Sequence, residues 1–304
     1  MKTVKDKHLS LGFALAGFGT LLFSLKSIFI KYLYAEGMNA DEVLVLRMAL
    51  SLPIYMMILV LSLRNRSTDV ALNFQIIIKI FMLGFFGYYL ASLLDLMSLE
   101  LISAQLERLG LFTYPFMVAL LGHFFFNEQI TRRIIFSLVI TYAGLYVVVG
   151  QELKLTGDGV IEGTFLVLGA ALSFAFYVLF SKRYINQLGS QLFTCIAMIS
   201  SCGFGLLHGV IVLQWSDLAI NQVAWLWLFM LVVLSTVIPS FLMVEALNRI
   251  GATQSGIVGM LGPIITIALA IYLLGEPFSV SLVFGVALMM VGVANLMMNK
   301  DKNN

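Results

Sequence analysis

The sequence predicts an all-α integral membrane protein of ten transmembrane helices, built as two inverted five-helix repeats. Composition, segment length and an internal repetition predict it. Of 304 residues, 61% are hydrophobic and only 11% charged, with a mean hydropathy of +1.00, whereas soluble domains carry about 25% charged residues. The apolar residues gather in segments of the length, about 20 residues, that a helix needs to cross a hydrocarbon core. Alternating ten-residue strand patterns are absent, which argues against a β-barrel.

Ten segments are marked in order: 9–34, 41–63, 74–99, 101–126, 134–150, 163–181, 191–213, 222–247, 251–274 and 279–298. Lys2, Lys5 and Lys7 precede the first, but the apolar run continues to Tyr34 without a small-x-small cleavage site, so it is expected to be a membrane helix rather than a removable signal. The connections are too short for a soluble domain. With the N-terminus cytoplasmic, the inner side holds Lys2, Lys5, Lys7, Arg64, Arg66, Arg132, Arg133, Lys182, Arg183, Arg249, Lys300 and Lys302, and the outer side only Lys31 and Lys154. The positive-inside rule therefore places both termini in the cytoplasm. Lys79, near an inner end, can snorkel to the headgroups. A compact chain without organelle signals suits a bacterial inner membrane, with the lipid bilayer and a small-molecule substrate as partners. No nucleic-acid partner is expected, and the sequence carries no signal of oligomeric state.

The repetition has a constant offset of 148 residues: Leu99, Ile102, Ala104, Pro115, Glu128, Phe136 and Gly144 recur as Leu247, Ile250, Ala252, Pro263, Glu276, Phe284 and Gly292, and Thr131 as Ser279. With only five prolines in the chain, a joint Pro and Glu match in register outweighs the raw identity. Residues 1–150 and 151–304 then form one repeat each. Five is odd, so the second half enters the membrane from the opposite side. Inverted repeats are a recurrent architecture of secondary transporters.

A proline in the fourth and ninth segments, with NEQIT (Asn127 to Thr131) and GEPFS (Gly275 to Ser279) after them, resembles the EamA family of the drug/metabolite transporter superfamily. The resemblance covers essentially the whole chain. It implies export of amino acids or other metabolites by alternating access, and a central cavity lined mainly by segments 1, 3, 4, 6, 8 and 9. It also implies a peripheral second segment.

Charges inside a bilayer cost about 2.5–3.5 kcal/mol each at a helix centre on insertion scales. Lys26, Arg47, Asp95, Glu107 and Arg108 nevertheless fall at one level, below the outer surface. The second half has no such cluster: Met243, Ser255 and Gly256 match Asp95, Glu107 and Arg108. Tyr88, Ser92 and Asp95 share one helical face, as do Gln105, Arg108, Phe112 and Pro115, while Glu107 points about 100° from Arg108. The candidate substrate-binding residues are Lys26, Tyr88, Ser92, Asp95, Arg108, Tyr114 and Tyr177, and Asp95 and Glu107 are the candidates for proton coupling. The competing structural reading pairs Lys26 with Asp95 and Arg47 with Glu107 as buried ion pairs. Arg47, on the segment that the resemblance makes peripheral, is assigned the structural role.

Pro115 and Pro263 each remove a helical hydrogen bond and serve as fixed kinks or structural pivots. Glu128 and Glu276 are expected to anchor loops, with Thr131 and Ser279 capping the helices that follow. Glu245 and Arg249 are spaced for an i,i+4 pair, Trp215, Trp225 and Trp227 for an interface belt, and Cys195 and Cys202 for packing. His123 reads as a packing residue more readily than as a proton carrier.

No G-x-x-x-x-G-K-[ST] loop, H-E-x-x-H or G-x-S-x-G is present, and the three His residues are isolated. Neither an enzyme, a metal site nor a cofactor is expected. The function that follows is secondary transport of a small polar or zwitterionic metabolite such as an amino acid, with export as the resemblance implies and with Asp95 and Glu107 leaving proton coupling open. Amphipathic or cationic drug-like cargo is the alternative within that class, and a non-transporting receptor or accessory subunit the alternative outside it.

Overall fold

A computed structural model describes residues 4–64, 73–215 and 220–297, which are helical throughout apart from short connections and contain no strand. Nine helices are long and apolar enough to cross a membrane among the described residues: α1 (Leu9–Ala35), α2 (Ala40–Arg64), α3 (Phe74–Leu101), α4 (Ala104–Phe126), α5 (Arg132–Leu155), α6 (Val160–Leu188), α7 (Ser190–Val212), α8 (Gln222–Gly251) and α9 (Gln254–Leu274). A shorter apolar helix, α10 (Val280–Leu296), follows. Large apolar side chains stay exposed around the bundle, among them Phe124, Phe136, Phe165, Ile211 and Val280. Such a surface suits lipid rather than water.

Each expected segment has its helix. The largest differences are at α5 and α6, which run to Leu155 and Leu188 instead of stopping near 150 and 181. There Gln151, Glu152 and Lys154, and Lys182 to Gln187, continue the helix beyond the apolar stretch, because backbone bonding does not end where hydropathy does. Of the basic residues in the charge census, Lys2, Arg66, Lys300 and Lys302 lie outside the described residues.

α1 packs on α8, α3 on α6, α2 on α7, and α5 on α10. The α5–α10 crossing is tight: a Cβ on Gly144 would meet the Gly285 carbonyl oxygen at 2.5 Å, and one on Gly292 would meet Thr141 Oγ1 at 2.1 Å. Small residues of this kind let membrane helices approach closely.

Local departures from the helix recur at the same 148-residue offset. α3 widens into a π-helical turn at Phe85–Leu90 and α8 at Val233–Val237. α4 is interrupted at Phe112 and Thr113 and α9 at Met260, and in each helix the proline falls within the first turn of the piece that follows. Both helices end on a left-handed residue, Asn127 (φ 54°) and Gly275 (φ 68°), residue types that tolerate that conformation. After these turns the Glu128 amide donates to Gly122 O at 3.3 Å and the Glu276 amide to Ala270 O at 3.2 Å. Thr131 and Ser279 then cap α5 and α10, accepting from the amides of Ile134 (3.3 Å) and Leu282 (3.0 Å).

The carboxylate of Glu276 accepts the amides of Ala104 (2.7 Å) and Gln105 (3.2 Å), tying the GEPFS loop to the N-terminus of α4. Burial pushes this carboxyl above its ordinary value, against the pull of the two amides. Lys31 donates at 2.7 Å to the carbonyls of Leu99 and of Ile102, where α3 ends.

Candidate functional site

α1 is interrupted at Leu25, whose amide turns back to Leu22 O at 3.2 Å in place of the regular helical bond, and carbonyls of the preceding turn take further donors. Side chains from three other helices supply them. Ser235 of α8 donates to Leu22 O at 2.9 Å, Arg108 Nη2 of α4 to Phe23 O, and Thr266 of α9 to Ser24 O at 3.2 Å. Arg108 Nε also donates to Thr266 Oγ1 at 2.9 Å.

Beside this break lies a cavity of about 240 Å³. Its charged wall is Lys26, Arg47, Asp95 and Arg108; its aromatic wall is Phe23, Tyr88, Phe112, Tyr114 and Phe174; Ser24, Ser92, Ser235, Thr236 and Ser240 add hydroxyls, and Met48, Met198 and Met243 soft apolar surface. Both π turns reach it: Tyr88 comes from the one in α3, Ser235 and Thr236 from the one in α8. In a π turn the carbonyls bond five residues on, as Phe86 O does to the Ala91 amide, and they keep a second lone pair for a tertiary donor. Phe86 O here accepts the hydroxyl of Ser173 at 2.7 Å, and Leu231 O that of Thr236 at 3.0 Å.

Lys26 Nζ donates to Asp95 Oδ2 at 2.5 Å, so the expected buried pair forms. Arg47 is 3% exposed, and its Nε and Nη2 are buried without any acceptor. Oδ1 of Asp95 and Oε1 of Glu107 likewise lack a donor. Glu107 is fully buried behind the wall, where its Oε2 accepts the Ser27 hydroxyl at 2.6 Å. Tyr88 and Tyr177 join hydroxyl to hydroxyl at 3.0 Å, and Gly87 makes room for the Tyr177 ring, since a Cβ there would sit 2.4 Å from it.

Of the residues singled out in the sequence, Lys26, Tyr88, Ser92, Asp95, Arg108, Tyr114 and Pro263 line the cavity. Tyr177 stands one layer back and reaches the wall through Tyr88. Glu107 faces away, as its 100° step from Arg108 requires, and Pro115 is outside the lining. Arg47 corrects the sequence reading. No Arg47–Glu107 pair forms, because Glu107 is turned onto Ser27, and α2 reaches the cavity with both Arg47 and Met48. Phe23, Thr20, Ser235, Thr236 and Met243 were not anticipated. Their signal in the sequence, hydroxyls, a methionine and a phenylalanine inside apolar helices, is shared by dozens of packing residues. Away from the cavity, Arg249 pairs with Glu245 at 2.6 Å as expected.

Membrane-spanning helices that enclose one charged cavity define a multi-pass membrane transporter. The model of the EamA-like transporter family matches residues 10–150 and 161–298. The chain belongs to that family, within the drug/metabolite transporter superfamily, and is a transporter rather than an enzyme. It is 29% identical to the uncharacterized transporter YcbK of Bacillus subtilis (strain 168), over 88% of this chain and 86% of that one. An uncharacterized transporter of Clostridium kluyveri is 25% identical over 64% of this chain and 62% of its own. The uncharacterized transporter YojE of B. subtilis is 30% identical over 58% of this chain and 56% of its own. A solved crystal structure 14% identical in sequence shares the fold with a TM-score of 0.69, over 97% of this chain and 99% of that one.

Proposed function

We propose that the protein is a secondary active transporter that exports a small zwitterionic metabolite, such as an amino acid, by alternating access. The observation that carries this reading is the Arg47 guanidinium, buried at the cavity wall with two nitrogens unpartnered. A buried charge without an acceptor is costly, and a cargo carboxylate would supply one in bidentate geometry. Asp95, in the same lining, supplies a carboxylate to a cargo ammonium. Lys26, Tyr88, Ser92, Arg108 and Tyr114 complete the contacts, with Tyr177 holding Tyr88. Three cations against one carboxylate at the wall disfavour a purely cationic drug.

The transport cycle rests on two inverted halves, residues 1–150 and 151–304, with both termini cytoplasmic in a bacterial inner membrane. The matched π turns, left-handed caps and proline breaks support this reading, as does the packing. Adding five to each helix number exchanges the α1–α8 contact with α6–α3 and leaves α2–α7 and α5–α10 unchanged. Interconversion of the two halves' conformations would open the cavity alternately to each side. Pro115 and Pro263 are placed to act as pivots in that exchange.

Flux of labelled amino acids in proteoliposomes tests the function. Saturable flux of at least one member of a broad panel, abolished by Arg47→Gln, is the expected result. Silence across the panel combined with strong flux of a hydrophobic cation would overturn it.

A further inference from the structure

Behind the Lys26–Asp95 pair stands a carboxyl group that the ligand cavity does not touch. Glu107 is fully buried, and its side chain lies within hydrogen-bonding reach of the Asp95 side chain. One oxygen of each group is accounted for: Asp95 Oδ2 by Lys26 Nζ and Glu107 Oε2 by the Ser27 hydroxyl. The other two, Asp95 Oδ1 and Glu107 Oε1, are buried and without a donor. Ionised carboxylates are acceptors only. Two of them within reach of each other and out of water repel, and neither can satisfy the other.

We propose that Asp95 and Glu107 form a proton-binding site, holding one proton between them. A single proton shared by the two groups makes one of them a donor to the other, which two ionised carboxylates cannot be. The surroundings favour one proton rather than two. Lys26, Lys31 and Tyr34 reach the pair from α1, Arg47 from α2 and Arg108 from α4. The four cations, Lys26, Lys31, Arg47 and Arg108, keep one negative charge on the pair. Among the described residues lining the cavity, α6, α7 and α9 add no charged side chain.

In transport, a role that rests on the exchange reading above, a cargo ammonium arriving at Asp95 competes with this proton for the same carboxylates. Binding of one then weakens binding of the other by the same factor, the condition for linking two opposed fluxes. Proton binding is a property of the pair rather than of either residue, which is why substituting one partner must change the state of the other.

Infrared spectroscopy of the purified protein at neutral pH tests the site without any cargo. The carbonyl stretch of a protonated carboxyl is separate from the bands of ionised carboxylates. We expect such a band in the parent, lost in Glu107→Gln, whose amide can donate to Asp95 in the proton's place. It is lost as well in Asp95→Asn, whose amide supplies Glu107 with a donor so that Glu107 ionises. A parent spectrum identical to Glu107→Gln in this region would overturn the proposal. So would a band that survives undiminished in Asp95→Asn, because the proton would then belong to Glu107 alone. Failure here leaves the transport reading standing, and a failed flux panel leaves this site standing, so the two are separable.

Discussion

Arg47 separates stability from function at a single residue. Its guanidinium is out of water with two nitrogens unpaired, a desolvation cost that an apolar side chain of similar volume does not carry. Arg47→Met should therefore raise the thermal stability of the unliganded protein while abolishing saturable flux. A variant that unfolds earlier and still transports would show that Arg47 is a structural residue after all. Lys26 and Asp95 behave in the opposite way. Lys26→Met leaves Asp95 buried without its ammonium, and breaking such a pair costs about 3–5 kcal/mol, a loss that the double change Lys26→Met with Asp95→Leu should largely restore in chemical denaturation. Charges in apolar segments are rare enough that the sequence alone placed Lys26, Arg47, Asp95 and Arg108 at one level. Of the two pairs that the structural reading offered, Lys26–Asp95 forms and Arg47–Glu107 does not, because pairing depends on rotamers and on the rotation of each helix about its axis.

At the scale of elements, the turns after α4 and α9 need a left-handed residue, and a β-branched side chain in that conformation costs about 1–3 kcal/mol. Asn127→Gly should leave the unfolding midpoint nearly unchanged, whereas Asn127→Val and Gly275→Val should each lower it. Equal midpoints for Asn127→Gly and Asn127→Val would remove the conformational argument. Gly292→Ala should destabilise by about 1–3 kcal/mol through overpacking, since the new methyl would press on Thr141 and the Ser137 carbonyl. The prolines and the NEQIT and GEPFS turns were legible because each leaves a residue type that local geometry demands. The π turns were not: FFGYYL and VLSTV carry no mark of them. Such turns answer to tertiary partners, here Ser173 for Phe86 O, and no window of sequence contains both groups.

For the whole molecule, hydropathy made the helical segments and their order legible, and the 148-residue repetition made the two-half organisation an expectation. The cavity was legible only in outline, because it is assembled from residues more than 200 positions apart, such as Lys26 and Met243. The proposed orientation places the α5–α6 connection outside, where Asp158 is exposed. A cysteine at Asp158 in a background lacking Cys195 and Cys202 should react with an impermeant thiol reagent added to intact spheroplasts. Reaction only after lysis would invert the topology.

The most direct test of the central claim, that the charged cavity binds the cargo, is thermal unfolding of the detergent-purified protein against classes of metabolite, in parallel with Arg47→Gln and Asp95→Asn. A ligand at 100 times its dissociation constant stabilises the binding state by about 2.7 kcal/mol. Stabilisation of the parent by zwitterions bearing a carboxylate and an ammonium, with little or none in either variant, is the predicted result. Equal stabilisation of all three proteins would place the binding site elsewhere and return the charges to a purely structural role.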